Sequence, residues 1–558
     1  MVRKEDEMTP TAIALGVILS VVFGAANAYL GLRVGLTVSA SIPAAVVSMG
    51  VLRVLLRRDS IRENNMVQTI GSAGESLAAG AIFTLPALYL WAQEGLCPPP
   101  GMLPLTLIAL AGGLLGVLLM VPLRRPLVVD EDKTLVFPEG RACVEVLKAG
   151  EKGARQARTV LSGLLFSALL KIAADALHWV PASLFYSFRS LRGALGLELS
   201  PALLGVGYIV GARVAGLLFA GSFLGWMVLI PVLCAVYPEQ AAAWEQGGAR
   251  AVWSGAVRYV GAGAIAMGGF LSLVKSMPLF VRTFSALKGS GRSPSDAERD
   301  LPLGRVLAGV GCVIVFLWAI PAVPVGFLGA ALIAVFGFFF AAVSARMCGL
   351  VGSSNNPISG MTIATLVVAS LVLKITGTAG AAGMVAAIAI GSVVCIVAAI
   401  AGDTAQDLKT GHLLGVTPWK QQVGELIGVV ASAIAIGGVL LLLHRAWGFG
   451  SDPIAAPQAM LMKVIVEGIM GGSLPWGFLA LGSGLAVVLA LFRVPIMPFA
   501  IGLYLPIGLN AAILAGGLIR FSMDRHSKAV ESGTLFSAGL IAGEGLCGIL
   551  LALLAVWA

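Results

Sequence analysis

The chain has 558 residues, of which 58% are hydrophobic and 12% charged, with a formal net charge of +9. Soluble domains carry roughly 45–50% apolar and about 25% charged residues, so this composition excludes a soluble globular enzyme and indicates many membrane spans of about 20 residues each. The basic excess does not mark a nucleic-acid binder, because the Lys and Arg residues sit mostly in short loops between apolar runs, where they act as topology signals.

The first segment, MVRKEDEMTPTAIALGVILSVVFGAANA, places both charge signs ahead of an apolar run. The triplet Ala26-Asn27-Ala28 suits a cleaved leader, but the mixed charges and the continuation of the chain favour a first span. Apolar runs fall at residues 11–30, 37–56, 67–91, 103–121, 160–177, 203–219, 223–236 and 253–273, then at 306–323, 327–343, 358–373, 380–401, 423–443, 476–492, 498–519 and 535–555. The expectation is an all-α polytopic membrane protein of about 16 transmembrane helices. Basic loops at 53–62, 124–158 and 275–305 follow the second, fourth and eighth runs, a single parity that places them in the cytosol with the N-terminus. The basic stretch IRFSMDRHSK at 519–528 follows an odd run, so either the count is off by one or residues 460–472 form a re-entrant piece. The polar stretch 124–158 reads as a cytosolic loop with a short amphipathic helix, and no soluble part is large enough to be an enzyme.

Glycine-rich breaks recur along the chain: NAYLGLRVGLTVSASIPAA from Asn27, YIVGARVAGLLFAGSFLG from Tyr208, SARMCGLVGSSNNPISGMT from Ser344 and AIGLYLPIGLNAAILAGG from Ala500. The stretches MVQTIGSAGESLAAG, VRYVGAGAIAMGG and SGTLFSAGLIAGEGLCG also resemble one another, with Glu75 and Glu544 at matching places. Internal repeats with interrupted helices are the sequence mark of secondary transporters. The reading is two related halves, residues 1–300 and 301–558, with broken helices lining a central cavity. Unwound backbone at membrane depth survives only where protein or a watery cavity satisfies it, so the Asn355-Asn356-Pro357 break is expected to line that cavity. An ordinary extramembrane turn is the alternative, since Asn-Pro is a common turn dipeptide.

Ionisable groups inside spans are functional candidates by default. Glu75, among small neighbours with little to pair with, is the expected proton carrier, a hydrogen bond to a nearby Ser being the structural alternative. Glu544 takes the same reading. Asp403 and Asp407, four residues apart, would share a helix face, with Lys409 offsetting part of their charge if the helix breaks at Gly411; a cytosolic helix cap is the alternative. Lys171 and Asp175 read as an intrahelical pair that eases insertion, and Arg33 and Arg213 either snorkel to the interface or hold a substrate carboxylate. The seven cysteines show no CxxC pair, and His178, His412, His444 and His526 share no spacing, so no protein-bound metal and no cofactor is expected.

Four motifs, NAYLGLRVGLTVSASIPAAVVSMGVLR (27–53), NNMVQTIGSAGESLAAG (64–80), GSSNNPISGMT (352–362) and GDTAQDLKTGHLLGVTPWKQQVGELIG (402–428), together resemble the oligopeptide transporter family, in its bacterial branch, related to the yellow stripe-like metal-chelate transporters. The resemblance runs from about Thr11 to the C-terminus. It implies a proton-coupled secondary importer of peptides or peptide-like compounds working by alternating access, with transport of siderophore- or nicotianamine-type metal chelates as the alternative. The implied partners are a small-molecule substrate, protons and the bilayer, in a bacterial cytoplasmic membrane, with homodimerisation compatible and nucleic acid excluded. Candidate substrate-binding residues are Asn27, Tyr29, Arg33, Gln68, Ser353, Ser354, Asn355, Asn356, Asp403, Gln406 and Lys409. Candidate proton-coupling residues are Glu75, Asp403, Asp407, Glu425 and Glu544. A channel and an intramembrane protease are remote readings: the breaks differ too much for a selectivity ring, and the Gly402-Asp403 pair lacks the rest of a protease signature. No Walker-type GxxxxGK[ST] stretch is present either.

Overall fold

The computed structural model describes residues 7–35, 37, 39–57, 60–132, 135, 137–148, 153–265, 267–268, 271, 299–353, 356, 358–451, 453–471, 475–524 and 527–557. The expectations placed on Ser354, Asn355, Pro357, His526 and most of the 275–305 loop lie outside these residues.

An apolar run in hydrocarbon must bond its own N–H and C=O groups, and the helix does so locally. Among the described residues nine helices are long and apolar enough to cross a membrane, and four apolar helices are shorter. Helix α1 (Pro10–Val34) opens on Thr9, whose hydroxyl accepts from the Ala12 N–H, with Pro10 at the first helical turn. It packs along α3 (Ile61–Ile82), and the two come so close that a Cβ on Gly74 would sit 1.9 Å from the Ser20 carbonyl oxygen. Only glycine permits that approach. Between them runs the short α2 (Ser41–Met49). Next come α4 (Met102–Arg124), the amphipathic α5 (Pro138–Lys148) and α6 (Gly153–Lys171). Helix α5 buries Cys143, Val144 and Leu147 against α2 and the central helices, so residues 138–148 of the polar stretch are docked on the bundle.

A two-stranded antiparallel hairpin follows, β1 (Ser183–Phe188) with β2 (Gly193–Glu198), in register from Ser183 opposite Glu198 to Phe188 opposite Gly193. Its residues overlap no apolar run, and nothing in the sequence reading anticipated it. Helix α7 (Pro201–Phe223) carries on to Val236 as one helical run, so the two spans expected at 203–219 and 223–236 are a single element, interrupted only at Gly211 (φ 81, ψ 166). Residues between the expected spans 223–236 and 253–273 form the helix Pro238–Val252.

The second part of the chain contains α8 (Gly326–Val351), α9 (Ile358–Ile375), α10 (Gly380–Leu414), α11 (Pro418–Trp447) and α12 (Pro457–Met470). It ends with α13 (Ile496–Tyr504), α14 (Ile507–Met523) and α15 (Ser527–Trp557). Helix α10 runs straight through Gly402-Asp-Thr-Ala-Gln-Asp-Leu-Lys409 and stops at Leu414, where Gly415 takes the left-handed cap (φ 70). The break at Gly411 on which the Lys409 reading depended does not occur: at that point the Gln421 side chain packs against the helix. The stretch near 460–472 is the buried helix α12.

All four glycine-rich stretches contain an interruption. The first runs from Gly35 (φ 74) to Ala40, between α1 and α2. The second is Gly211 inside α7. The third separates α8 from α9, and the fourth is Leu505-Pro506 between α13 and α14. Groups from elsewhere in the chain meet some of the freed backbone carbonyls, as the principle of internal satisfaction requires: the Ser222 hydroxyl donates to Gly502 O at 2.6 Å, and the Ala456 backbone N–H donates to Leu32 O at 2.7 Å.

Candidate functional site

Helices α1, α3, α10 and α11 pack together at the centre of the bundle, and they bring four acids from distant parts of the sequence into one buried region. Glu75 sits about two thirds of the way along α3. Its Oε1 accepts from Asn27 Nδ2 at 3.3 Å, and its Oε2 accepts from the Ala40 backbone N–H at 3.0 Å, where the chain re-enters helix after the first break. A carboxylate at that position faces the N–H groups that open α2. Asp403 and Asp407 lie about three and two turns from the end of α10. Asp403 Oδ1 accepts from Ser353 Oγ at 3.5 Å, and its Oδ2 is buried without a hydrogen-bond partner among the described residues. Asp407 accepts from Gln68 Nε2 at 2.5 Å and from the Ser72 hydroxyl, both on α3. Glu425 of α11 lies beside Asp407.

The amides Asn65, Gln68 and Gln421 extend this group away from Glu75. Gln421 Nε2 donates to Asn65 Oδ1 and Thr69 Oγ1, each at 3.1 Å, and to Asp407 O at 3.0 Å. Among the described residues none of the four acids makes an ion pair. Glu75 lines two small cavities: one shared with Thr37, Ser39, Ser353 and Asn356, the other with Asn27, Ser39 and Ala40. The first and third breaks thus meet at Glu75. Asn356 donates to Ser344 Oγ at 2.6 Å within the third break.

A second, larger cavity of about 350 Å³ opens at the far end of α1, beyond Asn27. Arg33, Lys171, Asp175, Glu198 and Arg250 give it both charge signs, and Tyr29, Trp226, Trp253, Trp447 and Phe185 give it aromatic walls. Pro506, Gly508 and Leu509 place the fourth break on its lining. Glu544 of α15 stands behind Arg33, fully buried. It accepts from Arg33 Nη1 at 2.7 Å, from Ser200 Oγ at 2.7 Å and from the Ala202 N–H at 2.8 Å, the last two at the start of α7. Lys171 pairs with Asp175 at 2.7 Å and lies 3.8 Å from Glu544. Trp226 stacks on Trp253 (5.6 Å between ring centres), and the edge of Phe185 meets Trp226.

The expected site residues therefore fall into three places. Asn27, Gln68, Ser353, Asn356, Glu75, Asp403, Asp407 and Glu425 form the central group. Tyr29, Arg33 and Glu544 belong to the larger cavity. Gln406 and Lys409 turn to the other side of α10. There Gln406 Nε2 donates to Cys348 O and its Oε1 accepts from the Gly140 N–H, each at 2.9 Å, while Lys409 donates to Val128 O at 2.7 Å and to Asp132. Lys409 is fully buried and does not pair with Asp403 or Asp407, contrary to the expectation drawn from its spacing; the helix carries it about half a turn away from their face. Its hydrogen bond, ahead of its charge, holds the Asp132 carboxyl below the usual carboxylate range. Arg213 is exposed and joins neither group.

Sequence reasoning missed the aromatic wall, Glu198 and Arg250, none of which lies in a recognisable motif. It read Lys171 and Asp175 as a pair that only eases insertion, because nothing local indicates that α6 borders a cavity. Ser72 and Gln421 stood within quoted motifs, but their pairing with Asp407 depends on helix contacts that no local pattern encodes.

Comparison with known proteins agrees with this architecture. The chain matches the family model described as OPT oligopeptide transporter protein over residues 7–555. It is 36% identical to the "Putative oligopeptide transporter" of Haemophilus influenzae across 94% of this chain and 92% of that protein. It is 23% identical to the metal-nicotianamine transporter YSL3 of Arabidopsis thaliana, across 96% of this chain and 89% of that protein. With the iron-phytosiderophore transporter YSL15 of Oryza sativa subsp. japonica it shares 22% identity across 97% of this chain and 90% of that protein. A match of this length, on a bundle of apolar helices interrupted at four glycine-rich stretches, makes the chain an integral membrane protein that belongs to the OPT oligopeptide transporter family.

Proposed function

We propose that the protein imports short peptides or peptide-like compounds with protons, by alternating access between two related halves, residues 1–300 and 301–558. The observation that carries this reading is the juxtaposition at the breaks: a cavity holding both charge signs lies along α1 from a buried group of four acids with no bonded cation among the described residues. A peptide presents an ammonium and a carboxylate at its ends, and a cavity with Arg33 and Lys171 against Asp175 and Glu198 complements both. The tryptophans supply apolar surface for side chains without selecting one of them.

In this reading Glu75 is the proton carrier. Four uncompensated negative charges in one buried group would be costly, and a proton is the counter-ion that such a group can take up and give back. The polar side chains Gln68, Asn65 and Gln421 lead from Asp407 toward the end of α3 that carries Arg62, the end expected in the cytosol. A proton entering down a potential of 100 mV supplies roughly 2.3 kcal/mol, enough to concentrate a neutral zwitterion. Protonation of Glu75 would weaken its hold on Ala40 and Asn27, and so alter the packing of the first break against α3.

The direct test is a thermal-shift screen of the purified protein against peptides from two to six residues, glutathione forms and metal–nicotianamine complexes. Stabilisation by peptides, followed by counterflow uptake of the same peptides in proteoliposomes, is the expected result. Stabilisation by metal chelates alone would overturn the peptide reading.

A further inference from the structure

The hairpin β1–β2 forms one wall of the larger cavity. Ser183, Leu184 and Phe185 of β1 and Gly196 and Glu198 of β2 line it. A lone two-stranded hairpin is marginally stable, and the outer strand of this one is largely exposed. Strand β2 rests on α14, with Gly508 against the backbone of Gly196–Glu198, and the side-chain ion pair that ties the open end to the bundle is Glu198 with Arg33 Nη2. Around Arg33, Glu544 has 0% of its side chain exposed, Arg33 7% and Lys171 11%, while the two more open anions are Glu198 at 23% and Asp175 at 30%, of which Asp175 pairs with Lys171 one turn before it on the same helical run and Glu198 pairs with Arg33.

The charge count is informative. Arg33, Lys171 and Arg250 oppose Asp175, Glu198 and Glu544, three cations to three anions among the described residues at this end of α1. Withdrawing Glu198 leaves three cations to two anions, with the unmatched charge centred on Arg33 Nη2. Arginine's planar fork takes a second carboxylate in the place of the first with little rearrangement. Glu544 cannot be the anion that yields, because Ser200 and the Ala202 N–H hold it in addition to Arg33.

We infer that Glu198 occupies the position of the substrate's carboxylate, and that an incoming carboxylate displaces it from Arg33 and releases the hairpin, so that the hairpin is a latch opened by the cargo's own charge. This deepens the peptide reading and rests on it. It assigns the carboxyl end of the cargo to Arg33, and it makes Glu198 a specificity-determining residue that selects against compounds without a carboxylate.

Two measurements test it. The first needs no cargo: hydrogen exchange over residues 183–198 in wild-type protein and in Glu198→Gln. Loss of the ion pair should speed exchange in the hairpin several-fold while α3 and α10 exchange as before. The second follows the fluorescence of Trp226, Trp253 and Trp447 during titration with Ala-Phe-Ala and with its C-terminal amide. The free acid should bind wild type at least several-fold more tightly than the amide. Glu198→Gln should tighten binding of the acid alone, and Arg33→Gln should erase the difference. A double variant, Gly196→Cys with Gly508→Cys, covers the case in which Glu198→Gln fails to fold; a Cβ at Gly196 lies 3.5 Å from the Gly508 Cα, close enough for a disulfide to pin the hairpin to α14. Oxidation should then stop uptake and reduction restore it. Hairpin exchange unchanged by Glu198→Gln, or undiminished uptake by the oxidised double variant, overturns the latch while leaving the peptide reading intact. Equal binding of acid and amide overturns the carboxylate assignment. Failure of both to bind wild-type protein overturns the peptide reading and the inference together.

Discussion

Glu75 and Lys409 are both ionisable, both buried and both on central helices, yet their surroundings give them different tasks. Glu75 faces two cavities and, among the described residues, is hydrogen-bonded by Asn27 and the Ala40 N–H. Replacing it with Gln fixes a neutral side chain of the same shape. Glu75→Gln proteoliposomes are expected to bind substrate and to exchange internal for external substrate at near wild-type levels, while losing accumulation driven by a pH gradient. Accumulation that persists in the variant would move the proton site to Asp403, Asp407, Glu425 or Glu544. Lys409, by contrast, ties α10 to the segment after α4 through Val128 O, Asp132 and the Phe137 ring, 5.7 Å from its ammonium. Lys409→Met removes that tie but leaves Asp132, whose side chain is 46% exposed, able to turn to water. The cost should be about 1–3 kcal/mol, seen as a lower apparent Tm in detergent with substrate affinity unchanged; a loss of affinity without a loss of stability would return Lys409 to the binding site.

The same contact gives a pH dependence with a definite sign. Because Lys409 depresses the Asp132 carboxyl in the folded state, its contribution is fully present above the ordinary carboxylate value of about 4 and fades as pH falls through the lower folded value. Wild-type protein should therefore lose thermal stability below about pH 4 more steeply than Lys409→Met. Parallel curves for the two proteins would show that the pair contributes nothing measurable.

At the scale of elements, the sequence announced the breaks and most of the spans, because glycine clusters and apolar length are local signals that hydrocarbon enforces. It announced the central acids for the same reason: a carboxylate amid alanine and glycine is conspicuous. The hairpin, the helix Pro238–Val252 and the joining of 203–219 to 223–236 were illegible, since each depends on tertiary packing against neighbours remote in the chain. The Lys409 error had another source. Spacing of i, i+4 and i, i+6 along α10 fixes which residues share a face but not what lies opposite them, and the segment after α4 supplied a closer partner. Close helix contact yields a further expectation. Gly74→Ala should destabilise the α1–α3 packing severely, because its new methyl would meet the Ser20 carbonyl at 1.9 Å. Gly311→Ala has nothing within 4 Å and should be neutral or slightly stabilising. Detergent melting curves of the two variants check the contrast, and equal behaviour would mean that α1 and α3 are not in this contact.

For the molecule as a whole, the proposed function gives separate work to its two polar regions. The larger cavity, with both charge signs and aromatic walls, suits a zwitterionic cargo, and the central acids, joined to it along α1, suit the proton. Their linkage runs through the first break, where one end of the same short segment meets Glu75 and the preceding turn of α1 carries Arg33. Coupling between cargo and proton is therefore the central claim. The most direct measurement is uptake of a labelled peptide into wild-type proteoliposomes given an imposed pH gradient, acidic outside, with no other ion gradient. Accumulation above the external concentration that collapses when a protonophore is added, together with peptide-dependent acidification of the lumen, is the expected result. Peptide equilibrating across the membrane without accumulation, and without proton entry, would contradict it.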